Sequence, residues 1–192
     1  MPMGVCEKVF QVKNSLESMR ILVDTREQNT ERAQKRYQSF LCPYDRRKLE
    51  YGDYAVNFQL ANGEWIYPQT DEKEKIYPFV AIERKMNLDE LCQCFGRSRK
   101  RFEREFDLAM EHSARLYLLV EDATWEDVLS GTYQSLMKPA ALCASLLAWQ
   151  ARYDMKVVFC KRGTSGTMIY QILYREIKEF FEKDLRREFL EK

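Results

Sequence analysis

One histidine, His112, and six cysteines without a C-x-x-C pair argue against a structural zinc site in the 192-residue chain. The cysteines, at positions 6, 42, 92, 94, 143 and 160, read as free thiols of a reducing compartment. Charge of one sign is not in excess: 31 Lys and Arg face 30 Asp and Glu, for a formal net charge of +1 and an isoelectric point near 7.5. Global electrostatics therefore neither demand nor exclude a nucleic-acid partner, and any basic surface must be local. The longest apolar run, Pro139 to Trp149, is too short and too interrupted to span a bilayer, and no amino-terminal signal pattern appears. A P-loop, a dinucleotide fingerprint, internal repeats and low-complexity linkers are all missing, so no nucleotide cofactor is expected. These absences predict a soluble intracellular protein, cytoplasmic or, in a eukaryote, nuclear. Its 45% hydrophobic residues suffice for one sizeable core and most simply one domain.

What the chain does have is the stretch from Tyr77 to Asp89, YPFVAIERKMNLD. Phe79, Val80, Ala81 and Ile82 are apolar at both parities, the pattern of a strand buried on both faces. Charge arrives abruptly at its end. Glu83 and Lys85 are two apart and project from one face, whereas Arg84 points to the other. A carboxylate beside an ammonium at the mouth of a core suits metal-assisted phosphodiester hydrolysis: the carboxylate holds a divalent ion, and the lysine orients or helps deprotonate water and offsets phosphate charge. The same trio, in a chain that is 32% charged, also reads as a solvated strand end. A hydrolytic site needs a second carboxylate, and Asp53 supplies one. It lies opposite the apolar row Tyr54, Val56, Phe58 and Leu60 of the alternating segment Leu49 to Leu60, with Gly52 permitting a bend before it. Asn62 and Gly63 predict a hairpin, Glu64 to Gln69 a returning strand, and Asp71 to Lys75 a solvated loop. Asp53 and Glu83 are thus expected on neighbouring strands of a meander.

Elsewhere, residues 1 to 19 form a polar lead-in segment, and Ile21 to Val23 a short strand ending in Asp24, Thr25, Arg26 and Glu27. Asn29 is expected to cap a helix to about Phe40, stopped by Cys42 and Pro43, with Arg46 to Lys48 as a solvated basic loop. Asn87 caps a short helix with Asp89 and Glu90 in its first turn, which alone explains Asp89. Arg97, Arg99, Lys100, Arg101 and Arg104 follow among Phe102, Phe106 and Ala109 at helical spacing. This is either an amphipathic helix with a basic polar face or a phosphate-backbone contact surface. Leu116 to Val120 reads as a strand, Thr124 to Leu129 as a short helix ended at Gly131, Lys138 to about Tyr153 as a Pro-started helix, and Val157 to Phe159 as the last strand. The turn Gly163 to Gly166 either cradles a phosphate or caps the final amphipathic helix, Thr167 to about Phe189. Alternating strands and helices over residues 115 to 185 predict a single α/β domain with a central mixed sheet flanked by helices.

The order I-L-V-D-T-R-E, L-E-Y-G-D-Y, V-A-I-E-R-K-M-N-L-D-E-L, a basic helix and Y-L-L-V-E resembles the nuclease domain of XPF-type structure-specific endonucleases, of the restriction-endonuclease-like superfamily. The match runs over roughly residues 20 to 185, placing a nuclease domain at 20–192. The resemblance implies that Asp53 and Glu83 bind Mg²⁺ or Mn²⁺, that Lys85 handles the attacking water, and that Asp24 adds a carboxylate. It also implies that Arg26 and Arg84 meet phosphate or brace the acids, and that Asp89 completes the motif. Arg84, by parity, also reads as a buried partner of Glu27. The implied substrate is branched DNA such as flaps, forks and junctions, cut by a homodimer or with a partner subunit. The tandem helix-hairpin-helix domain usual in the family has no place in this length, which is expected of an excised domain or a small stand-alone nuclease. Two other readings stay open: a DNA-binding or dimerisation module that has lost catalysis, and a resolvase or restriction-type nuclease.

Overall fold

In the computed structural model, residues 12–68 and 75–190 are described, with side chains through residue 182. Residues 12–17 are helical and lead into β1 (Arg20–Asp24), α1 (Glu31–Gln38), β2 (Tyr44–Arg47), β3 (Tyr54–Asn57) and β4 (Val80–Lys85). Then come α2 (Leu88–Phe95), α3 (Arg99–Glu111), β5 (Arg115–Glu121), α4 (Trp125–Ser130), α5 (Pro139–Tyr153), β6 (Lys156–Cys160), a 3₁₀ turn (Arg162–Thr164) and α6 (Ser165–Leu190). The strands make one sheet in the order β2-β1-β3-β4-β5-β6. It is mixed: β3 runs antiparallel to both β1 and β4, whereas the β1·β2, β4·β5 and β5·β6 pairs are parallel.

The apolar runs are strands because they are covered on both faces. Helices α2, α3, α4 and α5 pack one face through Leu91, Phe95, Phe102, Phe106, Leu142, Leu146 and Trp149 against Ala81, Leu118 and Val120. Helices α1 and α6 cover the other through Ala33, Tyr37, Ile169, Leu173 and Ile177 against Val23, Tyr54, Val56, Val80, Ile82 and Leu119. Trp149 is fully buried, its ring stacked on Phe102 with centroids 4.9 Å apart and edged by Phe95 and Phe106. Caps follow local chemistry. Thr30, Asn87 and Thr124 accept from the backbone N–H three residues on, and Gly131, with φ of 75°, closes α4.

Four expectations need correction. The cap of α1 is Thr30, whose side chain accepts from Ala33 N, and not Asn29. Arg46 and Arg47 belong to edge strand β2, paired parallel to β1, not to a loop. The segment Leu49 to Leu60 is broken: Leu49 bridges Ile76, Gly52 turns the chain, and the ladder holds only Tyr54 to Asn57. The returning strand is a single bridge, Gln59 to Trp65, among the described residues; Gln69 and residues 71–74 lie outside them, as do residues 1–11 of the lead-in. A Cβ on Gly166 would come within 2.1 Å of Ser39 Oγ and 2.3 Å of the Arg36 carbonyl oxygen, so this glycine lets α6 touch α1.

Candidate active site

The beginning of β3 meets the end of β4 through a turn that only a glycine takes without strain. Gly52 has φ of 74°, and a Cβ on it would lie 2.8 Å from Ala81 Cβ. The next residue, Asp53, is fixed by its backbone on both sides: its N–H donates to Ile82 O at 2.9 Å, and its carbonyl accepts from Asp24 N at 2.9 Å. Its side chain accepts from Arg84 N at 2.8 Å, which holds the carboxylate against the end of β4.

Along β4, Glu83 and Lys85 share the face of Ala81 beneath α2 and α3. Their side chains are 7% and 9% exposed and hydrogen-bond to each other. The Lys85 ammonium lies 4.9 Å from the centre of the Phe102 ring, a cation–π contact. With Asp53 they line a cavity of about 340 Å³ whose other walls include Arg26, Glu90, Cys94, Ser98, Arg101 and Glu105. Burial, then the Glu83 charge, push the Asp53 carboxyl up to about 8. Burial raises the Glu83 and Glu105 carboxyls too, against the opposing pull of Lys85. For Lys85 burial disfavours charge, but Glu83 and Asp53 outweigh it and hold the ammonium protonated well above its ordinary range. Carboxyl groups that resist ionisation around one held ammonium make a cavity that favours further positive charge.

Arg84 points away from this cavity's acids, into the α1 side of the sheet. It donates to Glu27 Oε1 at 3.0 Å and lies 3.6 Å from Glu121 Oε2. Arg36 joins the same two carboxylates, each at 3.1 Å, while Arg32 bonds Glu121 and Tyr54 Oη donates to Glu27 at 3.0 Å.

A model of the ERCC4 domain matches residues 23–172. The chain belongs to the ERCC4 domain family. Two solved structures of XPF from Aeropyrum pernix are similar in fold. One superposes with a TM-score of 0.55 at 16% identity, covering 82% of this chain and 61% of that one. The other, a complex with DNA, gives 0.54 at 18% identity, covering 83% and 65%. This chain therefore spans under two thirds of the length of either structure. No curated protein matches the sequence. The α/β sheet flanked by helices is the XPF nuclease fold, as the motif order implies.

Within this ERCC4 domain the residues marked out by sequence divide into two groups. Asp53, Glu83 and Lys85 line one cavity, with Arg26 and Arg101 among its walls. Asp24 does not join them. It is 1% exposed, and its carboxylate accepts from Arg26 N at 2.6 Å, Arg26 Nε at 3.0 Å, an Arg26 Nη at 2.8 Å and Leu49 N at 3.0 Å, which leaves no lone pair for a metal. Asp89 faces another way, its Oδ1 accepting from Gln134 N at 2.8 Å and Ser135 N at 2.7 Å, so it pins the α4–α5 loop. Arg84 also lines the cavity, but its guanidinium braces the Glu27–Glu121 network, as its parity implies. Arg97 donates to Gln93, Arg99 leans toward the Trp149 ring and Glu103, and neither these two nor the exposed Lys100 lines the cavity. Sequence reading passed over Glu90 and Glu105 as cavity residues. The one signal available for Glu105 was its spacing of four from Arg101 on α3, and that spacing is equally common on a solvated face.

Proposed function

We propose that this ERCC4 domain is a Mg²⁺- or Mn²⁺-dependent endodeoxyribonuclease acting on branched DNA. The observation that carries the reading is the convergence of Asp53, Glu83 and Lys85 on one open polar cavity at two strand ends. The donor set fits a hard ion. Among the described residues no three Asp, Glu, His or Cys side chains form a ready-made cage. Mg²⁺ is typically held by one or two carboxylates, with waters and substrate phosphate completing the shell. Asp53 and Glu83 would hold the ion, which would supply Lewis-acid polarisation of the phosphodiester. Lys85, hydrogen-bonded to Glu83 at the cavity wall, stands as a donor toward the space the ion and phosphate would share. It orients a phosphate or water oxygen and offsets the negative charge that develops at phosphorus. Arg26, whose side chain is 54% exposed, and Arg101 stand at the cavity wall where phosphates of the strand would pass. One similar XPF structure is a complex with DNA, which supports DNA as the polymer.

The deciding experiment is cleavage of labelled 3′-flap, fork, four-way junction and linear duplex DNA with Mg²⁺ or Mn²⁺, alongside Asp53→Asn and Lys85→Met. Metal-dependent cutting near the branch, lost in both variants, is expected. Sequence-specific cutting of linear duplex would indicate a restriction-type enzyme. Retained DNA binding with no cleavage of any substrate would identify a binding module instead.

A further inference from the structure

Glu105 stands in the same cavity wall as Asp53, Glu83 and Lys85, yet it makes no hydrogen bond or ion pair among the described residues. Its neighbours on α3 are engaged: Glu103 pairs with Arg152 at 3.0 Å, and Asp107 accepts from Tyr153 Oη at 2.8 Å. Arg101, one turn earlier, is the default helical partner, and no ion pair forms between them. Among charged groups, Lys85 acts most strongly on the Glu105 carboxyl. Lys85 in turn hydrogen-bonds Glu83, the carboxylate that the reading above assigns to the metal. An ion on Glu83 places two positive charges against the Lys85 ammonium, which then requires another anion within the cavity.

We infer that Glu105 is that anion: an outer carboxylate of the metal site and a positioning residue, which receives Lys85 when Glu83 engages the ion. Glu105 lies on α3 one turn from Phe102, whose ring already carries the Lys85 ammonium, and both carboxylates border the cavity that the lysine lines. Outer partners of this kind are worth about 10–100-fold in metal affinity. The inference rests on the proposed metal site and is tested separately from it.

The test is Mn²⁺ binding, followed by the electron paramagnetic resonance of free Mn²⁺, to the full chain without DNA. The proteins are wild type, Glu83→Gln, Glu105→Gln, Glu105→Asp and Glu111→Gln, the last an exposed charge on the same helix. Glu105→Gln is expected to weaken binding about 10–100-fold, Glu105→Asp to restore much of it, and Glu111→Gln to leave it unchanged. Wild-type affinity in Glu105→Gln, with binding abolished in Glu83→Gln, would sink the inference and keep the metal site. Binding indifferent to Glu83→Gln would overturn both. If Glu105→Gln loses its native circular dichroism, Glu105→Ala takes its place: affinity at least about ten-fold below Glu111→Gln supports the inference, and affinity equal to Glu111→Gln refutes it.

Discussion

Glu121→Gln asks whether Arg84 serves the fold or the reaction. Glu121 ends β5 with no exposed surface, bonded to Arg32, 3.1 Å from Arg36 and 3.6 Å from Arg84. The amide keeps the shape and removes the charge, leaving Glu27 as the carboxylate that serves Arg36 and Arg84, at 3.1 and 3.0 Å. Removing one partner of a buried ion pair costs about 3–5 kcal/mol. Here Arg32 reaches water and the other two arginines retain Glu27, so the low end, about 3 kcal/mol, is expected. For a domain of this size that corresponds to about 6–12 °C in Tm. Urea unfolding followed by circular dichroism at pH 7 measures it. The pH dependence carries a sign. Burial works to raise the Glu121 carboxyl, but Arg36 and its other partners outweigh burial and hold it below its ordinary value. Its contribution is therefore present above the ordinary carboxylate range and is lost as pH falls through the lower folded value, so wild type and variant converge in acid. A loss under about 1 kcal/mol, the range of an exposed pair, would refute the brace. So would unchanged stability combined with lost DNA cleavage, which would return Arg84 to the chemistry.

Three further outcomes follow from the geometry. Because Asp53 binds its proton more tightly when folded, up to about 8, the metal-free protein should lose stability as pH rises from the ordinary carboxylate range to that value. Asp53→Asn should flatten that decline in a Tm-versus-pH series while abolishing cleavage, and a steeper decline would contradict the burial account. Gly52→Ala forces φ of 74° and a 2.8 Å approach to Ala81, at a cost of about 1–3 kcal/mol. It should also weaken Mn²⁺ binding by shifting Asp53, and unaltered binding by calorimetry would separate the turn from the site. Asp89→Ala leaves the N–H groups of Gln134 and Ser135 without their acceptor, for about 1 kcal/mol in chemical denaturation. Its metal-dependent cleavage should survive, and total loss of activity in a folded Asp89→Ala protein would place Asp89 in the reaction.

Strands whose side chains are buried on both faces were readable because nearly every residue in them is apolar; Val80 to Ile82 and Leu118 to Val120 needed no context. Strand β2, Tyr-Asp-Arg-Arg, was not readable. It is a sheet edge with partly exposed side chains, and what makes it a strand is its ladder to β1, which no local pattern encodes. The same contrast holds in the site. Period-two alternation put Glu83 and Lys85 together and sent Arg84 away. Asp24 and Asp89 look like any acid at a strand end or helix start, and only tertiary structure shows that backbone N–H groups and Arg26 occupy them. Glu105 was hidden for the opposite reason. A charge on a basic amphipathic helix is ordinarily solvated, and the fold alone turns that flank toward Lys85.

The opposed faces of β4 carry a consequence for how its residues can be exchanged. Glu27, Arg36, Arg84 and Glu121, with Arg32 at their edge, form a linked set in which the loss of any one member leaves buried charge less well compensated. Breaking such a set one residue at a time is costly, whereas exchanging it whole for well-packed apolar side chains of similar volume is often neutral. Along one strand, successive residues thus answer to different constraints: Arg84 to the charge balance beneath α1, Glu83 and Lys85 to the cavity on the other side.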